Sequence, residues 1–258
     1  MVEAVGPGVT DVTVGDRVAY SSGPQGAYSE ERVMPADRLV VLPDGISDQQ
    51  AAAMMLKGMT AQYLLRQTYK VKEGDTILFH AAAGGGGLIA CQWAQALGAT
   101  VIGTVGSDEK AELARTHGCD HPIVYARENF VERVREITSG RMVPVVYDSV
   151  GKDTFSASLD CLAQRGLMVL FGQSSGAVEP VDLGILAQKG SLYVTRPTLP
   201  TYADTRADLL AIARDLFDVV LSEKVKIEVN QSYPLRDAAR AHQDLQARKT
   251  TGSTVLTV

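Results

Sequence analysis

The chain is 258 residues long and 45% hydrophobic, with 25 lysines and arginines against 30 aspartates and glutamates, a net charge of −5. That length fits one large or two small domains with a sizeable core, and mild acidity without a long basic run argues against nucleic acid or an anionic membrane as partner. No stretch of about 18 apolar residues offers a membrane span, no basic segment leading into an apolar one marks a secretory start, and the three cysteines, Cys91, Cys119 and Cys161, are dispersed as reduced thiols are; a cytoplasmic location is expected.

Residues 1–43 are punctuated by glycine and proline, with short β-type runs at 16–20, 27–34 and 39–42, the pattern of a small antiparallel barrel. Residues 48–69 read as a linking helix. From residue 76 the pattern changes to α/β alternation. Apolar runs at 76–79, 100–105, 122–125, 143–150, 167–172 and 191–195 predict six strands. Helix-period stretches at 88–97, 108–117, 128–138, 154–163 and 181–188 predict the five connections, which together make a doubly wound parallel sheet. Beyond Pro197, an amphipathic helix is predicted over 205–221, with Leu209, Leu210, Ile212, Ala213, Leu216 and Phe217 on its apolar face. A strand at 225–229, a helix at 235–248 and a strand at 253–258 follow. The expected organisation is a Rossmann unit, residues 56–195, inserted between two pieces of a second domain, residues 1–55 and 196–258.

The most informative stretch runs from Thr76 to Val105. Strand, glycine turn, helix and strand form the unit that holds a dinucleotide pyrophosphate. Unpaired amides and the positive end of the helix dipole favour an anion there, and a Cβ at the contact would hold the phosphate away. Ala81 stands at the first fingerprint position, with Gly84 and Gly87 at the next two. A glycine loop alone is a weak signal, since a flexible strand–helix connection looks the same; the order and length of the flanking elements make it stronger. The second strand ends Thr104-Val105-Gly106-Ser107-Asp108-Glu109-Lys110. An NAD site places an acid at the strand end, whereas an NADP site needs room and a cation. Gly106 and Ser107 are small and Lys110 lies one turn into the next helix, which favours NADPH. Asp108 and Glu109 argue the other way unless they are simply first-turn acids complementing the helix dipole.

With these residues in view, the chain resembles the zeta-crystallin-type quinone oxidoreductases of the medium-chain dehydrogenase/reductase superfamily over essentially its whole length. The motifs that carry the resemblance are VEAVGPGVTDVTVGDRVAY, FHAAAGGGGLIACQWAQALGA, VYDSVG, RGLMVLFGQSSGAV, GSLYVTRPTL and YPLRDAARAH. The resemblance implies a Rossmann sheet inserted in a GroES-like β-barrel domain, with NADPH as cofactor. It sets Ala83, Gly84, Gly85, Gly86 and Gly87 under the pyrophosphate. It makes Gly106, Ser107 and Lys110 the 2′-phosphate pocket, with Tyr125 near the adenosine phosphate and Ser149 near the adenine ribose. Phe171, Gly172, Gln173 and Ser174 would face the nicotinamide half, Thr198, Leu199 and Pro200 would close over it, and Thr60 would lie near it. Arg248 would reach the phosphates. Each has a plainer alternative: Lys110 and Arg248 as solvated charges, Tyr125 as a core-edge ring, Phe171 as core, Thr60 as helix surface.

Two departures from the family pattern stand out. Gly86 replaces a valine, which should loosen the helix start by roughly 1 kcal/mol. Family members also carry a further N-terminal stretch, which forms much of the barrel and supplies a tyrosine and an asparagine near the nicotinamide; its absence here predicts an incomplete barrel that exposes apolar surface and strand edges. Zinc, used by many superfamily members, needs clustered cysteine and histidine ligands, and none is expected from the scattered His80, His117, His121 and His242; His80 reads as a packing residue or a backbone partner. The implied reaction is direct hydride transfer to a quinone, with no side chain assigned as acid or base, because reduced quinone oxygens can take protons from water. Alternatives are an enoyl or alkenal reductase, or an NADPH-binding protein with little turnover. The family's habit of pairing its last Rossmann strand across a two-fold axis predicts a homodimer through the edge strand that begins at Ser191 and ends at Thr195.

Overall fold

A computed structural model of the chain describes residues 1–247 and 249–258. The chain begins with β1 (Val18–Ala19) and β2 (Val40–Val41), followed by the long helix α1 (Asp48–Tyr63). The alternating segment comprises β3 (Thr76–Phe79), α2 (Gly85–Ala96), β4 (Thr100–Val105), α3 (Asp108–Arg115), β5 (His121–Val124), α4 (Phe130–Ile137), β6 (Val143–Asp148), α5 (Phe155–Asp160), β7 (Leu162–Leu170), α6 (Gly184–Gln188) and β8 (Tyr193–Thr195). The chain closes with α7 (Leu199–Tyr202), α8 (Arg206–Leu221), β9 (Gln231–Pro234), α9 (Ala238–Gln246) and β10 (Thr254–Thr257).

Residues 63–198 form one compact unit and residues 1–62 with 199–258 the other. In the first, six parallel strands lie in the order β5-β4-β3-β6-β7-β8. Two apolar faces explain why β3, β4 and β6 read as nearly unbroken apolar runs: helices cover both sides, so neither face can be polar. Leu78, Ile102, Ile123, Val146 and Met168, one from each of five adjacent strands, are buried in one continuous core with Phe155 and Leu159 of α5. The chain reverses its direction of winding at β3, which pairs with β4 on one side and β6 on the other. Loops that leave the carboxyl ends of the two central strands therefore diverge, and a ligand crevice opens where they part.

The second unit is built on helices more than strands. In α1, Gly58 lies against α8 so closely that a Cβ there would sit 2.5 Å from Leu216 Cδ1, and Leu209, Ile212, Ala213, Leu216 and Phe217 are buried along α8. Strands β1 and β2 pair antiparallel, and β9 and β10 pair parallel. Two expected strands did not form. Residues 27–34 are irregular, with Tyr28 and Val33 exposed, and residues 225–229 form no strand, the strand lying further on in β9. A strand is stabilised by its neighbour's hydrogen bonds as much as by its own sequence, so a β-type run need not become a strand. β7 also starts earlier than its apolar run: Leu162 pairs with Val143 of β6, and after a shift in register Leu167 pairs with Val145.

Arg206, the first residue of α8, holds the N-terminal segment in place. Its guanidinium donates to the carbonyls of Ala36, Asp37 and Leu39 at 3.3, 3.0 and 3.0 Å and pairs with Asp11 at 2.8 Å. Only a planar fork can reach these acceptors together. Arg206→Lys is therefore expected to destabilise the chain almost as much as Arg206→Ala, by about 1–3 kcal/mol, measured as a loss in urea midpoint; full retention of stability by the lysine variant would show that charge alone suffices.

Candidate functional site

β3 delivers the chain to a tight turn at its carboxyl end. His80 N–H donates to Tyr147 O of β6 at 2.9 Å, and Ala82 N–H donates to Thr104 O of β4 at 3.0 Å, so the turn is tied to both neighbouring strands. Ala81 adopts φ 56, a left-handed conformation that costs an L-residue energy and is sustained by those ties. Gly103 of β4 makes room for the turn: a Cβ there would lie 2.6 Å from Ala82 Cβ and 2.6 Å from Cys119 Sγ.

The glycines that follow owe their identity to space rather than to backbone freedom, since none of the four has positive φ. At Gly87 a Cβ would lie 2.5 Å from the carbonyl oxygens of both Ala81 and Ala82, so Gly87 lets α2 descend onto the turn. Gly84 caps the helix in an extended conformation and its N–H bonds to Ala81 O at 2.9 Å. The first helical bond is Leu88 N–H to Gly84 O, 2.9 Å. Helix geometry then leaves the amides of Gly85, Gly86 and Gly87 without intrahelical acceptors. Nothing lies within 4 Å of a Cβ built on Gly86, and Ala83 is buried beneath. Three bare amides at a positive helix end suit a pyrophosphate.

Beneath the turn lies a polar network that sequence reasoning reduced to packing. His80 is fully buried; its Nδ1 is 2.8 Å from Thr104 Oγ1 and its Nε2 is 2.9 Å from Ser158 Oγ. Ser158 Oγ donates to Asp148 Oδ2 at 3.2 Å, and Asp148 also accepts from Thr154 Oγ1, Val150 N and Gly151 N at 2.7, 2.7 and 3.0 Å. One proton arrangement satisfies the whole chain. Ser158 gives its proton to Asp148, so it accepts from His80 Nε2–H; Nδ1 then accepts the Thr104 hydroxyl proton. The imidazole is neutral in that arrangement, and burial pushes its pKa below the ordinary 6.5 despite the opposing pull of Asp148. The readable signal was a set of polar residues, Thr104, Asp148 and Ser158, at positions where helix and strand periodicity placed core.

The ends of β4 and β5 meet beside this turn. Gly106 lies under Tyr125: a Cβ there would be 2.9 Å from the Tyr125 hydroxyl. Ser107 caps α3 by accepting Lys110 N–H at 3.3 Å. Among the described residues the Lys110 ammonium makes no ion pair or side-chain hydrogen bond. Asp108 is held by Arg127, a residue the sequence did not single out. At the ends of β6 and β7, Gly172 approaches Ser149 so closely that a Cβ would lie 2.6 Å from its carbonyl oxygen, and Ser174 N–H donates to that oxygen at 3.1 Å. Phe171 is half-buried with its ring 5.6 Å from Phe79, and Gln173 and Ser174 are exposed. Thr198 follows β8 and is exposed.

Three further expected residues belong to the other unit. Thr60 lies on α1 with its hydroxyl donated to Leu56 O at 2.8 Å. Leu199 opens α7 with its side chain buried, and Pro200 beside it is exposed. Arg248 lies outside the described residues.

Two outcomes test this geometry. Gly87→Ala should lose about 1–3 kcal/mol through overpacking, whereas Gly86→Ala should gain about 0.4–1 kcal/mol by restricting the unfolded chain; equal effects on the thermal midpoint would contradict the spacing. For His80, the unfolded chain takes up a proton below about pH 6.5 that the folded chain refuses. Stability should therefore fall as pH drops through that value, and less steeply in His80→Gln; parallel pH profiles would show that the imidazole is not held neutral.

A family model described as zinc-binding dehydrogenase matches residues 85–213. A quinone oxidoreductase of Pseudomonas aeruginosa is 63% identical over 255 residues, 99% of this chain and 78% of that protein. A 2-haloacrylate reductase of a Burkholderia species is 52% identical over 262 residues, 99% of this chain and 78% of that protein. The crystal structure of Escherichia coli quinone oxidoreductase complexed with NADPH superposes with a TM-score of 0.97 at 54% identity, covering 99% of this chain and 79% of that one.

Proposed function

The chain belongs to the zeta-crystallin-type quinone oxidoreductases of the medium-chain dehydrogenase/reductase superfamily, and from that membership we propose that it reduces quinones with NADPH by direct hydride transfer and without zinc. The observation that carries the cofactor is the pairing of bare amides at Gly85, Gly86 and Gly87 with an unpaired Lys110 at the end of β4. The first suits a pyrophosphate and the second a 2′-phosphate, so the residues present fit the dinucleotide. NADPH, when bound, supplies the hydride.

The protein's own contributions are binding and orientation. The helix start of α2 holds the pyrophosphate; Gly106, Ser107, Lys110 and Tyr125 receive the phosphorylated ribose; Ser149 borders the adenine ribose. Phe171, Gly172, Gln173 and Ser174 lie at the end of β7 and are assigned to the nicotinamide half, as is Thr198; for Thr60, Leu199 and Pro200 the same assignment rests on the family resemblance alone. Arg248 is assigned to the phosphates. No side chain is assigned as acid or base, because a reduced quinone can draw protons from water.

The case against zinc rests on ligand chemistry. A zinc site takes thiolates or imidazoles set close together. The three thiols are buried; the hydrogen bond with Cys119 and burial push the Cys91 thiol well up, and burial pushes Cys161 to about 12. Among the described residues no three of His, Cys, Asp or Glu stand close enough to share an ion. The 2-haloacrylate reductase relative favours a second reading, in which the acceptor is an activated alkene. A homodimer through β8 is supported by its outer edge, where Tyr193 and Val194 are exposed and strand pairing is open. Among the described residues no helix is long and apolar enough to cross a membrane, and a cytoplasmic location is assigned with the family.

Steady-state NADPH oxidation should be rapid with 1,4-benzoquinone and slower with 2-chloroacrylate; the opposite order would move the assignment to the alkene. Lys110→Ala should weaken NADPH at least tenfold more than NADH, a difference of about 1.4 kcal/mol, and equal losses would remove Lys110 from the 2′-phosphate. Stoichiometric zinc in the purified protein would refute the metal-free mechanism, and a monomer in light scattering would refute the dimer.

A further inference from the structure

The 2′-phosphate pocket contains a contradiction. Two acids, Asp108 and Glu109, stand between Ser107 and Lys110 at the end of β4, and both are exposed. A free carboxylate at that place accepts ribose hydroxyls and repels a phosphate. Yet Lys110 and the small Gly106 and Ser107 favour the phosphate.

Arg127 resolves it. Its guanidinium grips Asp108 with both arms, Nη1 to Oδ2 at 2.6 Å and Nη2 to Oδ1 at 2.6 Å. Arg127 follows β5 two residues after Tyr125, whose hydroxyl overhangs Gly106, so the grip spans the strand ends on either side of the pocket. A bidentate fork occupies both carboxylate oxygens and cancels the charge. Glu109 stays charged, its carboxyl held below the ordinary value by the Ser107 hydroxyl beside it, and it offsets Lys110 in the charge of the patch. Asp108 and Arg127 are both well exposed, and an ion pair in such a position contributes little to stability. What it changes is the field: Asp108, Glu109, Lys110 and Arg127 together sum to zero, whereas without Arg127 the same patch is net negative.

We propose that Arg127 is a specificity-determining residue for the cofactor, acting as a lock that takes Asp108 out of competition for the ribose and so keeps the pocket open to a 2′-phosphate. The inference rests on the NADPH assignment above. A group bearing nearly two negative charges would be repelled by an unlocked Asp108; at a separation of about 6–9 Å in water that corresponds to a loss of about five- to tenfold in affinity, shrinking as salt is added.

The test is titration of NADPH and NADH against the full chain, followed by nucleotide fluorescence, in the wild type, Arg127→Ala, Asp108→Asn and the double variant. Arg127→Ala should weaken NADPH about five- to tenfold and leave NADH unchanged or tighter. Adding Asp108→Asn to it should restore most of the NADPH affinity, because the unpaired carboxylate has gone. A double variant as weak as Arg127→Ala would mean that Arg127 touches the phosphate itself, and would overturn the lock. An unchanged preference for NADPH in Arg127→Ala would overturn this proposal alone. A wild type that binds NADH as tightly as NADPH would overturn the cofactor assignment, and the lock with it.

Discussion

The close seating of α2 on the turn after β3 governs the rest of the cofactor-binding unit. The carbonyls of Ala81 and Ala82 occupy the space a Cβ at Gly87 would need, so the helix meets the sheet with backbone against backbone. That contact fixes the height of the helix start, and with it the position of three unpaired amides. Gly103 supplies the matching recess on β4. Ala81 accepts a left-handed conformation so that the chain can turn within this space. Strain of this kind persists only when the surroundings over-determine it, and here hydrogen bonds to β4 and β6 do so.

The buried network under the turn serves the same end. A histidine in a dry site must have both nitrogens satisfied, or the fold loses the cost of a stranded polar group. Thr104, Ser158 and Asp148 satisfy them in one direction only, and Asp148 in addition organises the loop after β6 through the amides of Val150 and Gly151. One set of hydrogen bonds thus couples the glycine turn to the loop that carries Ser149. Cofactor contacts expected from separate motifs share a single rigid base.

At the other end of the proposed site the argument is about charge rather than space. The sequence shows two acids and a lysine in a row, a pattern compatible with either ribose or phosphate. The partner that neutralises Asp108 comes from the turn after a different strand. Charge counted along the chain says little about the field at a pocket, because neutralisation happens across space.

The sheet was legible because parallel strands covered on both faces must be apolar throughout, and all six runs became strands at or near their expected places. The glycine turn and the helix behind it were legible too, since close approaches demand particular residues. The β-type runs at 27–34 and 225–229 misled because strand formation depends on a neighbour that local pattern does not reveal. What the sequence determined by itself was the alternation of elements and the residue types at the cofactor loop, each set by local backbone and burial requirements. What only the tertiary structure decided was which proton His80 holds and that Arg127 answers Asp108, because each depends on residues well separated in the chain being brought within a few ångströms.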